Sequence, residues 1–256
     1  MASQLLKTIN PFPILFWVWC TIFMLLSGVL FTSIYFVIFT FISNKDIAYK
    51  QSFVITKIWG KLICFFSLTR VTCIGVENLN PHQNYVFVSN HLSSLDIPIC
   101  MSTCPIPFSF LAKKQVKKIP FVGYLAQNMH ILVDRDDERS RIKSLKIMQE
   151  WLTLRKRSLL LFAEGTRNTS ANPIKPFQSG AFKIALESQL PLAPITIIGS
   201  QKIMSPNLKF RIYPFKHILV VFDKPINTDG LSASQVPALK NQVREIMIYN
   251  IKSHTA

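Results

Sequence analysis

Asn90-His91-Leu92-Ser93-Ser94-Leu95-Asp96 places an imidazole and a carboxylate five residues apart at the end of an apolar, strand-like run. A histidine oriented by an aspartate is a general base that can strip a proton from a hydroxyl near neutral pH. Further along stands a second polar island, Phe162-Ala163-Glu164-Gly165-Thr166-Arg167. Its guanidinium can take a phosphate through two parallel hydrogen bonds. Together the two islands point to chemistry on a phosphorylated alcohol.

On a continuous helix a five-residue step turns about 140°, so the side chains of His91 and Asp96 would not share a face. His91 is therefore expected in the loop before a helix that carries Asp96, with Ser93 or Ser94 as the N-cap. A lone histidine after a strand is ordinarily structural, and an arginine in a Gly-Thr-Arg turn is ordinarily solvated. What argues otherwise is that both islands follow strand candidates, 85–89 and 159–163. In α/β sheets functional groups gather outside the carboxyl ends of strands, and adjacent parallel strands would bring these two into one crevice. A serine nucleophile is not expected. There is no G-x-S-x-G elbow, and Ser179 in Gln178-Ser179-Gly180 lacks the strand-to-helix setting.

The elements that must position these residues alternate between strand and helix. Apolar positions from Lys45 to Arg70 recur at three and four, as in an amphipathic helix. Strands are expected at 85–89, 131–133, 159–163, 194–198, 210–213 and 218–222. Helices are expected to start at Leu92 and to span 140–155, 180–187 and 234–251. The fold class is α/β, a mixed, largely parallel sheet covered by helices. It is preceded by an N-terminal membrane-embedded segment. Residues 1–60 are assigned to that segment and its amphipathic connection, and 61–256 to the α/β domain.

The membrane assignment rests on the stretch from Thr8 to Asn44, which holds no charged residue, with Trp17, Trp19 and Tyr35 as interfacial anchors. A cleaved signal peptide fits poorly, because the apolar run is about twice the usual length. As one helix it would exceed a hydrocarbon core of about 30 Å. Two geometries follow: a hairpin broken at Ser27-Gly28 and dipping into one leaflet, or one tilted span. Lys45, Lys50, Lys57 and Lys61 outweigh Lys7, and both geometries place the catalytic domain in the cytoplasm.

Composition agrees with a membrane surface. The 256 residues carry a formal charge of +16 with 49% apolar residues, a pairing that favours an anionic bilayer over nucleic acid. The five cysteines, Cys20, Cys64, Cys73, Cys100 and Cys104, are scattered with no C-x-x-C pair, which reads as a reduced compartment. No H-E-x-x-H arrangement occurs among the five histidines, so no catalytic metal is expected.

At these residues the chain resembles the glycerolipid acyltransferase family, specifically its 1-acylglycerol-3-phosphate acyltransferases. Asn90-His91-x4-Asp96 matches the family's N-H-x4-D block. Lys113-Lys114, followed by Ile119-Pro120-Phe121-Val122-Gly123 and Val133-Asp134-Arg135, is similar to the second block. Phe162 to Arg167 is similar to F-P-E-G-T-R, with Ala163 where the family usually has proline, and Leu190 to Ile195 to the last, proline-bearing block. The resemblance covers about residues 60 to 225.

It implies transfer of a fatty acyl group from acyl-CoA or acyl carrier protein, as co-substrate and without a cofactor, to lysophosphatidic acid, making phosphatidic acid. His91 would be the general base and Asp96 its orienter. Glu164, Gly165, Thr166 and Arg167 would hold the acceptor's phosphate, with Glu164 orienting Arg167 or a backbone loop. One of Lys113 and Lys114 would aid the oxyanion or the donor's phosphates, and Arg135 is a weaker phosphate contact. Localisation would be membrane, the inner membrane in a bacterium. The alternatives are another lysolipid acceptor, a non-catalytic membrane-binding homologue, and, from charge alone, a nucleic-acid binder.

Overall fold

The computed structural model describes residues 12–119, 122–134, 136–204 and 212–255. Among the described residues seven strands form one sheet: β1 (Thr69–Ile74), β2 (Val86–Ser89), β3 (Phe108–Lys113), β4 (Ile131–Val133), β5 (Ser158–Phe162), β6 (Leu192–Ile198) and β7 (Lys216–Phe222). Their order is β1-β7-β6-β2-β5-β3-β4. Every pairing is parallel except β6 with β7. The mixed, largely parallel sheet expected from the alternating pattern is the one observed.

Strands buried on both faces read as continuous apolar runs, and β2 and β6 are buried at every residue. Successive side chains alternate between two cores. Phe87, Leu160, Ala193, Ile195 and Ile197 point into one. Val86, Val88, Leu159, Leu161 and Leu192 point into the other. The first core is covered by α1 (Phe12–Phe41), α2 (Lys45–Phe66), α3 (Asp96–Thr103) and α4 (Val122–Met129). The second is covered by α5 (Glu138–Thr153), α6 (Gly180–Ser188) and α7 (Val236–Thr255).

Helix α1 is long and apolar enough to cross a membrane. It runs unbroken through Ser27-Gly28, so of the two geometries the hairpin broken there does not form. Those two residues are instead buried against α2, where the Trp59 Nε1–H donates to Ser27 Oγ at 3.1 Å. The chain turns at Ile42–Asn44, and Asn44 caps α2 by accepting from the backbone N–H of Asp46 and Ile47. Antiparallel packing then runs the length of the pair. Phe23 stacks on Phe66 at 4.1 Å and Phe31 on Trp59 at 5.4 Å, and Tyr35 hydrogen-bonds Thr56 at 3.0 Å. The opposite face of α1 stays exposed, with Leu15, Leu26, Leu30 and Phe41 on it.

Helix α2 runs through the expected domain boundary at 60–61 and is tied to the sheet. Asp46 accepts from the guanidinium of buried Arg157 at 2.8 Å, and that guanidinium lies 4.0 Å over the Tyr49 ring. Two strands escape the sequence pattern. Edge strand β1 is only partly buried, and β3 leaves the sheet at a lysine pair. Half of a strand expected at 210–213 lies outside the described residues, and the described half, Ile212 and Tyr213, carries no strand.

Candidate active site

The connection leaving β2 runs to β3 on one side of the sheet order, and the one leaving β5 runs back to β6 on the other. The crevice beyond their carboxyl ends is a topological switch point, where α/β sheets bind ligands. Ser89 pairs with Phe162 across β2 and β5, so the two polar islands emerge side by side. Asn90 locks the first of them: its side-chain amide donates to Ile197 O at 2.9 Å and accepts from Ile197 N–H at 2.8 Å.

His91 sits in the loop and Asp96 opens α3. The expected cap is corrected here: Ser93 accepts from the Leu95 N–H in a tight turn, and the helix starts one residue after Leu95. That turn leaves the backbone N–H groups of Leu92 and Ser93 free to donate to Asp96 Oδ2, at 2.7 and 2.8 Å. His91 Nδ1 meets the same oxygen at 2.8 Å. The Asp96 side chain is 0% exposed and that of His91 15%, so the dyad is buried at one end and open at the other. With Nδ1–H donated to Asp96, Nε2 presents its lone pair to the crevice.

The second island locks the first. Glu164 Oε1 accepts from the His91 N–H and Oε2 from the Lys175 N–H, both at 2.9 Å. The carboxylate therefore orders two backbone loops, one of the two roles expected for it. Burial raises its pKa, and the two backbone N–H bonds and the nearby Lys175 oppose the rise. Gly165 turns the chain at φ +73, where a Cβ would lie 3.1 Å from Gln178 Cγ. Arg167 then folds back so that its Nη1–H donates to Ser94 Oγ, inside the histidine loop. The Lys175 ammonium donates to Arg167 O at 2.9 Å.

Phe162 has a part that the sequence reading did not assign. Its ring stacks on His91 at 3.9 Å and 14°, and on Phe110 at 5.9 Å. Thr166 is exposed at the turn. Lys113 and Lys114 are exposed where β3 ends, and Lys114 lies 3.8 Å from Asp134. Arg135 lies outside the described residues. Among the described residues no group of three or more His, Cys, Asp or Glu side chains is placed to hold a metal ion.

Beside this crevice an apolar cavity of about 490 Å³ opens between α1, α2, α3 and α4, with Trp17, Met24, Trp59, Leu95 and Phe110 in its walls. His130 also lines it. Its Nδ1 accepts from the Phe110 N–H at 3.3 Å, and burial pushes its pKa down to about 4.

A buried-ended histidine–aspartate dyad at a sheet's switch point, with an arginine turn locked against it, defines a group-transfer site on an α/β scaffold. Residues 70–198 match the acyltransferase family model, and the chain belongs to that family. It is 30% identical over 202 residues to the 1-acyl-sn-glycerol-3-phosphate acyltransferase of Saccharomyces cerevisiae, covering 76% of this chain and 66% of that one. The Helicobacter pylori protein of the same name is 36% identical over 143 residues, covering 56% of this chain and 60% of its own. The chain thus spans just under two thirds of the length of these relatives. The fold matches that of the 1-acyl-sn-glycerophosphate (LPA) acyltransferase PlsC of Thermotoga maritima, with a TM-score of 0.82 at 20% identity over 95% of this chain and 96% of that one.

Proposed function

We propose that this protein transfers a fatty acyl group from an acyl thioester to the free hydroxyl of 1-acylglycerol 3-phosphate, giving phosphatidic acid and a free thiol. One observation carries the reading. Arg167 reaches Ser94 in the loop between His91 and Asp96, so base and anion grip share a crevice beside an apolar cavity suited to an acyl chain. Family membership and the names of the relatives support the same acceptor.

Asp96 keeps the proton on Nδ1, so Nε2 takes the proton of the acceptor's hydroxyl as its oxygen attacks the thioester carbonyl. Collapse of the tetrahedral intermediate breaks the carbon–sulfur bond, and the imidazolium returns its proton to the leaving thiolate. Arg167 pairs with the acceptor's phosphate, Gly165 and Thr166 shape the turn that presents it, and Glu164 fixes both loops. Lys113 or Lys114 steadies the oxyanion or the donor's phosphates. Acyl-CoA or acyl carrier protein serves as co-substrate, and no step calls for a metal or cofactor.

The exposed apolar face of α1 rests in one leaflet, because its other face packs on α2, whose Lys50 and Lys61 are exposed. The lysines face an anionic cytoplasmic surface. Incubating the purified chain with mixed acyl thioesters and lysophosphatidic acid, with products read by mass spectrometry, is expected to yield phosphatidic acid. Full activity of His91→Ala would overturn the mechanism. Equal use of acceptors lacking phosphate would overturn the role of Arg167.

A further inference from the structure

We propose that a second cavity, on the α5–α6 face of the sheet, binds the phosphopantetheine arm of the acyl donor; this rests on the acyl-transfer reading above. The cavity measures about 550 Å³ and lies on the side of the sheet opposite the apolar cavity walled by α1 to α4. Phe162 and Glu164 line it. Glu164 holds the His91 N–H, while the Phe162 ring itself packs towards the first core, against His91 and Phe110. A molecule in this cavity therefore reaches Glu164, one hydrogen bond from the loop of the base, from the side away from the acyl-chain cavity.

The lining selects the chemistry. Leu145 and Met148 give an apolar floor, and Thr166 and Gln178 give a polar collar. The side chains of Thr166 and Gln178 form no hydrogen bond with any described residue. A phosphate would be poorly placed on such a floor, whereas a slender chain with methylenes and two amides matches floor and collar together. Pantetheine has that form, with a thiol at one end and a phosphate at the other.

The phosphate end also has a complement. Helix α5 leaves the sheet at the carboxyl end of β4, the edge on which His91 stands. Its first three turns present Arg139, Lys143 and Lys146, all exposed, with Glu138 as the one acid in the first turn. An acyl donor would then lie across the crest of the sheet, with its acyl chain in one cavity, its thioester at His91 and its arm in the other. The acceptor is left the side of Arg167. Coenzyme A and acyl carrier protein carry the same arm, so the site serves either source.

Gly180 supplies the test. A Cβ at this position meets nothing within 4 Å and the backbone is helical, so Gly180→Phe places a ring in the cavity without strain. The variant is expected to raise the KM for acyl-CoA about tenfold or more, while kcat, the KM for lysophosphatidic acid and the unfolding midpoint change little. An acyl N-acetylcysteamine thioester, which lacks most of the arm, is expected to react nearly as with the wild type. A matching shift with acyl carrier protein assigns the site to the shared arm, and a shift with one donor alone assigns it to that donor.

Exposed Lys143→Glu with Lys146→Glu is expected to raise the KM of full-length donors severalfold and to flatten its salt dependence. An unchanged KM for both full-length donors in Gly180→Phe, or an equal loss with the truncated thioester, would overturn the proposal. If the wild type turned over no thioester with lysophosphatidic acid, the acyl-transfer reading would fail separately. Calorimetric binding of coenzyme A would still decide the cavity: weaker binding to Gly180→Phe supports it, and equal binding by both proteins overturns it.

Discussion

The ring of Phe162 lies 3.9 Å from that of His91, nearly parallel to it at 14°. Asp96 fixes one edge of the imidazole and Phe162 covers one face, so the ring has little freedom left to misdirect Nε2. Phe162→Ala is expected to lower kcat about tenfold to a hundredfold with a smaller change in KM, as for a misaimed base. His91→Ala should cost about 10² to 10⁴ in rate. Steady-state kinetics with one acyl thioester and lysophosphatidic acid would check both, and a KM effect dominating in Phe162→Ala would count against an orienting role.

Arg167 should act on the acceptor rather than the donor. Loss of a charge-assisted pair predicts that Arg167→Ala raises the KM for lysophosphatidic acid by about ten- to a hundredfold. Arg167→Lys should recover only part of this, because an ammonium cannot offer two parallel bonds. The readout is the KM for each substrate measured separately.

Gly165→Ala meets two penalties, a left-handed backbone and a Cβ crowding Gln178. It is expected to destabilise the fold by about 1–2 kcal/mol. Gly180→Ala, in a helix with open space at its Cβ, should be neutral or stabilising by a few tenths. Chemical unfolding of the two variants side by side would show the contrast.

His130 predicts a stability change with acid. Burial pushes its folded pKa down to about 4 from the ordinary 6.5, so between these values the unfolded chain binds more protons. Stability is full above pH 6.5 and falls as the pH drops towards 4, by about 3 kcal/mol in total from this group. Glu164, whose pKa is raised by burial, contributes with the opposite sign. The stability difference between wild type and His130→Phe, followed by unfolding from pH 7 to pH 4, isolates the histidine. A difference flat across that window would contradict it.

Arg157 and Asp46 form one ion pair with unequal burial, 5% and 62% exposed. Arg157→Ala should cost about 2–3 kcal/mol, because the guanidinium also packs over Tyr49 and Trp151. Asp46→Ala should cost no more than about 1 kcal/mol, its side of the pair being screened by water. Equal losses in denaturant titrations would show that the packing contributes little.

The central strands were legible because β2, β5 and β6 are short apolar runs bounded by polar breaks, and α5 because its apolar stripe repeats at helical spacing. Strand β1 was not, since an edge strand with a half-wet face has no clear period. The continuity of α1 was hidden because Ser27-Gly28 looks like a break in isolation, and only Trp59, thirty-two residues on, makes it a contact. The islands around His91 and Glu164 were legible as motifs. The stacking of Phe162 and the two cavities depend on distant segments meeting, which no local pattern encodes.

Phe31 and Tyr35 of α1 belong to the same core as Phe87 of β2 and Phe222 of β7, and α1 supplies one wall of the apolar cavity. The greasy helix is therefore no leash that could be trimmed to give a water-soluble enzyme. Cutting it away would unroof the chamber and strip the core in a single stroke, so lipid attachment and reactivity must be kept, or lost, together.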